Sequence, residues 1–387
     1  MTQLPRTDID PNGLLEYSVV FTDRSLNHMS QKFITSTQEL LGILTDTYNA
    51  DTAALVPGGG TAAMEAVARQ LATGKKVARQ LATGKKVLII RQGNFTFRWT
   101  QIIEKGAITD QVKVLNAVAT DDSDTPSYAP PALDSVREAI AEFGPDLVVT
   151  AHTETASGTS LGADYIAELG AAAREADALF VLDCIAAGAD FTDMVASQVD
   201  VLISAPQKSW SGSPATGYVM LNSRAREAVV TSESTSFTLD LAKWLEIFEG
   251  YRDGKAAYHA TLPTDTIVHN LEVMKESLAV GLDVLAARQV ELGRAVREAA
   301  RERGYVSVAA EGYESNGVVV LYADAPGLQS GAALKPFGVQ IAAGVPLKIG
   351  EGENFSTFRI GLFGLDKWDD PQAAAQKLID ALDAARS

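Results

Sequence analysis

The sequence predicts an α/β fold with a large domain, built on a mainly parallel sheet between helices, and a smaller C-terminal α/β domain. Three observations point there. Residues 178–182 (ALFVL) and 201–203 (VLI) are apolar without alternation, which is how strands covered on both faces of a parallel sheet read. Such runs alternate with amphipathic stretches at 33–48, 132–143 and 162–175, the order of βαβ units. A length of 387 residues exceeds one ordinary core, so two domains are the default. The expected division is an N-terminal arm at 1–27, a large domain at 28–270 and a small domain at 271–387.

Composition excludes several classes. The chain is 46% hydrophobic and 21% charged, a globular balance, and no window approaches about 18 uninterrupted apolar residues, so no membrane span is expected. Net charge is −16, from 33 basic and 49 acidic residues spread along the chain. That surface should repel nucleic acid and anionic lipid. The first residues, MTQLPRTDIDPNG, are polar and carry no apolar signal region, so a cytoplasmic location is expected. Cys184 is the only cysteine, which rules out an internal disulfide. His28, His152, His259 and His269 have no metal-ligand spacing, and no metal site is expected.

Taken in order, 14–22 (LLEYSVVFT) reads as a strand, and Ser30 as the cap of the helix that follows. Residues 53–56 (AALV) read as a strand ending at Gly58, Gly59 and Gly60, with a helix behind them carrying Met64, Val67 and Leu71 at core spacing. Glycines let the backbone approach a ligand, and a helix N-terminus offers free N–H groups, so this turn has the form of a phosphate cradle. It matches neither the P-loop nor the dinucleotide pattern. VARQLATGKK at 67–76 then recurs unchanged at 77–86. Ten residues turn a helix through roughly 1000°, about 80° out of phase, so one copy is expected to be displaced toward the surface or to lengthen the helix past its packing partner. Strands are expected at 87–90 and 146–151, with Gly93 and the aromatics Phe95, Phe97 and Trp99 after the first. Residues 241–250 read as helix, and 264–303 as a long helical region capped at Thr264 or Asp265, with possible breaks at Gly281 and Gly293. Residues 305–308, 317–323 and 357–362 have strand character, and 370–386 close the chain as a helix.

The chemistry centres on Asp183 and Lys208, 25 residues apart and each just past an apolar run. Ligands of open parallel sheets bind outside the carboxyl ends of the strands, which brings an acid and an amine to one crevice. A partly desolvated lysine among Ser204, Ala205 and Ser209 loses proton affinity and becomes an amine able to condense with an aldehyde. An aspartate against a pyridine nitrogen keeps that nitrogen protonated. Together the pair describes pyridoxal 5'-phosphate (PLP). Arg359, inside an apolar strand pattern, needs an anion: either a buried protein carboxylate or a substrate α-carboxylate.

Residues 204–214 (SAPQKSWSGSP) and 181–190 (VLDCIAAGAD) resemble the lysine and aspartate motifs of the class V aminotransferases. These are fold-type I PLP-dependent transferases, and the likeness is greatest to the alanine/serine–glyoxylate/pyruvate branch. It runs from about His28 to Arg359. The resemblance implies catalytic roles for Lys208 and Asp183. It further implies that PGGGT places Gly59, Gly60 and Thr61 at the cofactor phosphate with Gln207, and that Phe95 stacks on its ring. HTETASG is similar to the family's HxExSxG, so Thr155 would bind the cofactor. YHATLP is similar to YHHTPP, which implies that Tyr258 and Thr261 reach the phosphate in a neighbouring subunit and that the protein is a homodimer. FRIG makes Arg359 the substrate-binding residue. HMSQKF is similar to HRSPEF, but the Pro-Gly-Pro segment usual near the N-terminus is missing.

The implied activity transfers an amino group from alanine, serine or aspartate to glyoxylate or pyruvate. Two alternatives stay open on the residues: a PLP-dependent lyase of the same fold, and a cofactor-free binding protein. A cysteine desulfurase is disfavoured, because Cys184 directly follows the aspartate and no second cysteine exists.

Overall fold

The computed structural model describes residues 9–10, 12–73, 76–77, 80–81 and 84–386. Its centre is a seven-stranded sheet. In chain order the strands are β1 (Thr52–Pro57), β2 (Val87–Arg91), β3 (Val112–Asn116), β4 (Leu147–Ala151), β5 (Leu179–Asp183), β6 (Val201–Ser204) and β7 (Thr216–Leu221). They lie side by side as β1-β7-β6-β5-β4-β2-β3. The pairs β6/β5, β5/β4, β4/β2 and β2/β3 are parallel, whereas β7 runs antiparallel to both β6 and β1. Six strands therefore share one direction, and the loops after their carboxyl ends open on one edge.

Helices cover both faces, which explains the unalternating apolar runs: every residue of β4, β5, β6 and β7 is buried. Helix α1 (Gln31–Tyr48) starts at Ser30, whose hydroxyl accepts the Phe33 N–H. Helix α2 (Gly60–Leu71) buries Met64, Val67 and Leu71, as their spacing predicts. Next come α3 (Asn94–Lys105), α4 (Leu133–Phe143), α5 (Ala163–Glu175), the single turn α6 (Pro206–Ser209), α7 (Ser223–Val230) and α8 (Leu241–Arg252). Helices α9 (Thr264–Val280) and α10 (Leu282–Glu302) lead to a second sheet, in which β10 (Thr357–Gly361) lies between β8 (Val318–Tyr322) and β9 (Ala342–Ala343). That sheet has its own core, with Leu285, Leu292 and Val296 of α10, Phe358, Trp368, and Leu382 of α11 (Pro371–Arg386).

Four expectations need correction. Residues 14–22 form no strand: no sheet edge meets them, and Leu14, Tyr17 and Val19 stand exposed. Thr264 and Asp265 do not cap α9, which begins at Thr264 itself. Their side chains instead bond the carbonyl and N–H of Leu26, clipping the N-terminal segment to the helix. Gly281 breaks the helical region, but Gly293 does not. A Cβ on Gly293 would lie 2.7 Å from Cα of Asn316, so this glycine serves close approach between backbones. Residues 305–308 run beside β8 through the Val308 and Tyr322 N–H groups, but the pairing amounts to a bridge at Ser307.

Helix α2 is not lengthened by the repeat; it stops at Leu71, inside the first copy. Lys76–Val77 and Gln80–Leu81 pair antiparallel as a separate two-stranded sheet. Residues 74, 75, 78, 79, 82 and 83 of the repeat lie outside the described residues. The described ends meet: the Lys85 N–H donates to the Ala72 carbonyl at 3.0 Å. Deleting residues 75–84 leaves VARQLATGKKVLII and makes that bond one across a tight turn. Closing twelve residues between Ala72 and Lys85 rather than two costs only about 1.6 kcal/mol of loop entropy. The shortened chain should therefore fold and melt within about 3 °C of the full chain or above it, as followed by circular dichroism. Loss of the cooperative transition would show that the loop packs on the fold.

Candidate active site

Five loops after the carboxyl ends of β1, β2, β4, β5 and β6 converge on one edge. After β1, Gly58 and Gly59 have φ of 108° and 82°, a left-handed backbone that only glycine adopts without strain. Gly60 then opens α2, and a Cβ on it would lie 2.5 Å from Cδ1 of Ile185. The first N–H groups of α2 thus face the edge without a capping side chain.

The loop after β2 is held by a buried carboxylate. Glu154 is fully buried and accepts the N–H groups of Phe95, Thr96 and Ala156 and the Thr96 hydroxyl. Four donors and the N-terminal dipole of α3 compensate a charge that burial otherwise opposes. Burial still wins, and the carboxyl is held above its usual range. Gly93 is required beside it, because a Cβ there would meet Cγ of Glu154 at 2.8 Å. This clamp fixes the first turn of α3, and with it Phe95.

After β4, His152 is buried, with Nε2 3.3 Å from Asp190 and Nδ1 2.9 Å from the Thr153 hydroxyl. Its backbone N–H donates to the Asp183 carbonyl, which ties the two strand ends together. Thr155 lies buried in the turn that follows.

Asp183 is the last residue of β5 and is buried. One carboxylate oxygen accepts the Ile185 N–H. Burial pushes its pKa up to about 6, against the opposing pull of Lys208 and Arg98. After β6, Pro206 stands at the first position of α6, where its missing N–H costs nothing, and the turn presents Lys208. Burial lowers the proton affinity of Lys208; Asp183 opposes that shift, and Arg359 adds to it. Acid and amine, brought to neighbouring strand ends, act on each other. Beside Lys208, the amide oxygen of Gln207 and the hydroxyl of Ser209 are buried without a hydrogen-bond partner.

The second sheet contributes Arg359 of β10. Its Nε donates to the Ala343 carbonyl at 2.8 Å, and its guanidinium lies 5.5 Å from the Phe95 ring centroid. No carboxylate lies within ion-pair distance of it among the described residues; the buried Glu154 acts on it only through space, against the lowering that burial imposes.

Gly59, Gly60, Phe95, Thr155, Asp183, Gln207, Lys208 and Arg359 thus belong to loops and strands facing this edge, and Thr61 is tied to α3 by Arg98. Tyr258 and Thr261 do not join them. They bond each other, and the Tyr258 ring packs on His28 while remaining 53% exposed.

Three residues escape the sequence reading. Glu154 lies inside HTETASG but shows its clamp only once α3 is placed. Arg98 follows Phe95 by three residues, one helical turn, and donates to the Thr61 hydroxyl. Phe363 sets its ring 5.3 Å from Lys208 Nζ, and nothing in FRIGLFG marks it. Cys184 is buried, its thiol pushed well up by burial and set against Thr192, as a small packed residue would be.

A sequence model of the family described as Aminotransferase class-V matches residues 14–321; Arg359 falls beyond that stretch. No curated protein matches the chain. Among solved structures, an alanine–glyoxylate aminotransferase from Nostoc sp. is similar at a TM-score of 0.76 and 20% identity, over 94% of this chain and 89% of that one. A ureidoglycine–glyoxylate aminotransferase from Bacillus subtilis gives 0.74 and 19%, over 95% and 87%. An aspartate aminotransferase from Thermus thermophilus gives 0.72 and 21%, over 93% of each. At these identities the likeness is one of fold. No helix among the described residues is long and apolar enough to cross a membrane.

The raised Asp183 has a measurable consequence for the cofactor-free chain. A carboxyl whose folded pKa is about 6 rather than 3.8 binds its proton more tightly when folded. Its contribution is full below pH 3.8 and is lost as pH rises through 6. Asp183→Asn should therefore gain on the parent chain between pH 4 and 6, by about 3 kcal/mol relative to its standing at pH 4. Urea unfolding of the two apo proteins across that range checks this; a constant difference would refute it.

Proposed function

Since this chain belongs to the class-V aminotransferase family, we propose that it is a PLP-dependent transaminase moving the amino group of a small amino acid to glyoxylate or pyruvate. The observation that carries this reading is the half-buried Lys208 beside the buried Asp183 at adjoining strand ends, facing a positive-φ glycine turn. The residues present suit the cofactor: a helix N-terminus and the side chain of Gln207, with its unpartnered amide oxygen, for a phosphate, an acid for a ring nitrogen, and an amine for an aldehyde.

When bound, PLP supplies an aldehyde that amines condense with and a protonated ring that accepts the electron pair left at the substrate α-carbon. Gly59, Gly60, Thr61 and Gln207 would hold its phosphate, with Thr155 and Asp183 at the ring and Phe95 stacked on one face to exclude water. Asp183, poorly solvated, favours a cation beside it more strongly than an exposed carboxylate would. Lys208 Nζ takes the proton from the substrate α-carbon, a task helped by the lowered proton affinity that burial imposes. Arg359 binds the α-carboxylate through guanidinium N–H groups not committed to Ala343 and so aligns the C–H bond.

The same reading includes a homodimer. Tyr258 and Thr261, apart from the site of their own chain, would complete the partner's phosphate site. The exposed Leu14, Tyr17, Val19 and Phe237 are apolar surface that a second copy would cover. A large domain at 28–270 and a small one at 271–387 belong to this proposal, supported by separate cores. Alanine, serine or aspartate as donor is suggested by the family likeness, and alanine and aspartate also by the names of similar structures. A cytoplasmic location accords with it.

A donor and acceptor matrix, read from the cofactor spectrum in each half-reaction, tests the activity. A donor alone should convert the cofactor to its amine form; release of product without that form would indicate a lyase. Borohydride should trap a cofactor adduct in the parent chain and none in Lys208→Ala. Shared sites are tested by complementation. Lys208→Ala and Tyr258→Ala/Thr261→Ala chains, each nearly inactive alone, should regain roughly a quarter of parent activity when subunits are mixed. No recovery, with exchange shown by mass spectrometry, would sink the shared-site reading.

A further inference from the structure

The phosphate cradle lies in a protein of net charge −16, and a helix N-terminus contributes only about half a positive charge. A dianion there calls for a fixed cation. Lys208 is engaged as the amine and Arg359 lies on the second sheet. Among the described residues, the remaining cation in contact with the cradle is Arg98.

Its position is over-determined. Arg98 lies one turn beyond Phe95 on α3, so both side chains project from the same side of a helix whose first turn is clamped by Glu154. Its guanidinium carbon is 4.9 Å from the Phe95 ring centroid. Nη1 donates to Thr61 Oγ1 at 2.9 Å, at the second residue of α2. No carboxylate pairs with it among the described residues, although it lies close enough to act on both Asp183 and Lys208. A half-buried arginine with one neutral partner retains N–H donors in a fork suited to phosphate.

We propose that Arg98 is a phosphate-binding residue of this site, its guanidinium sharing the cofactor's phosphate with the N-terminus of α2 while it holds Thr61 in place. The inference rests on the PLP reading above and adds a residue to it. A purely structural role, holding Thr61 by a hydrogen bond, would be met by any neutral donor that keeps that bond, whereas binding the phosphate follows the charge.

That difference sets the experiment. Apo protein is titrated with PLP and with pyridoxal, which lacks the phosphate, and adduct absorbance gives Kd for each. Arg98→Gln removes the charge and keeps an amide donor for Thr61; Arg98→Lys keeps the charge and loses the fork. Arg98→Gln should raise Kd for PLP by about 10- to 100-fold and leave Kd for pyridoxal within about 2-fold, with Arg98→Lys between. Inorganic phosphate should compete with PLP in the parent chain about 10-fold better than in Arg98→Gln. Equal weakening of both aldehydes, or none of PLP binding, would overturn the assignment. If the parent chain bound neither aldehyde, the PLP reading would fall and this inference with it. Binding by the parent with Arg98→Gln unaffected would sink this inference alone.

Discussion

The burial of Asp183 beside Lys208, at the carboxyl ends of two neighbouring buried strands, is the constraint around which the rest of the architecture is arranged. Two opposite charges in a poorly solvated place are costly unless each keeps the other company, and the shifts of both follow from that cost. β5 and β6 pair directly, with Asp183 opposite Ile203, so strand register fixes how far apart the two can stand. A one-residue slip would turn Asp183 to the other face of the sheet.

Around that pair, rigidity comes from groups that do no chemistry. Glu154 gathers three N–H groups and a hydroxyl, and so holds the start of α3 against the turn after β4. The His152 N–H on the Asp183 carbonyl, and Gln289 of α10 bonded to Ala187 and Ala189, tie the strand ends to each other and to the second core. Loops that carry function are ordinarily the mobile part of a fold. Here buried polar groups with complete hydrogen bonding hold them, as preorganisation requires.

Much of this was legible in the chain. Unalternating apolar runs announced the parallel strands, Ser30 announced α1, and the spacing of Met64, Val67 and Leu71 announced the buried face of α2. Misreadings came where one local signal has two physical meanings. A glycine in a helical stretch marks a break at Gly281 but a close backbone approach at Gly293, and only the neighbour at Asn316 separates the cases. Thr264 and Asp265 have the chemistry of caps, yet their oxygen atoms serve Leu26, more than two hundred residues earlier. Residues 14–22 carry strand composition but lack an edge to join.

The sequence by itself determined five of the seven strands, β1, β2, β4, β5 and β6, and picked out the acid, the amine and the glycine turn at their ends, because these depend on local pattern; β3 and β7, and the order in which the strands lie, it did not give. Tertiary structure alone decided that Glu154 clamps α3, that Arg98 meets Thr61, that Phe363 faces Lys208 and that Arg359 has no ion-pair partner among the described residues. Those contacts join segments from 37 to 155 positions apart. Periodicity reports which face of an element is buried, but not which distant side chain it will meet there.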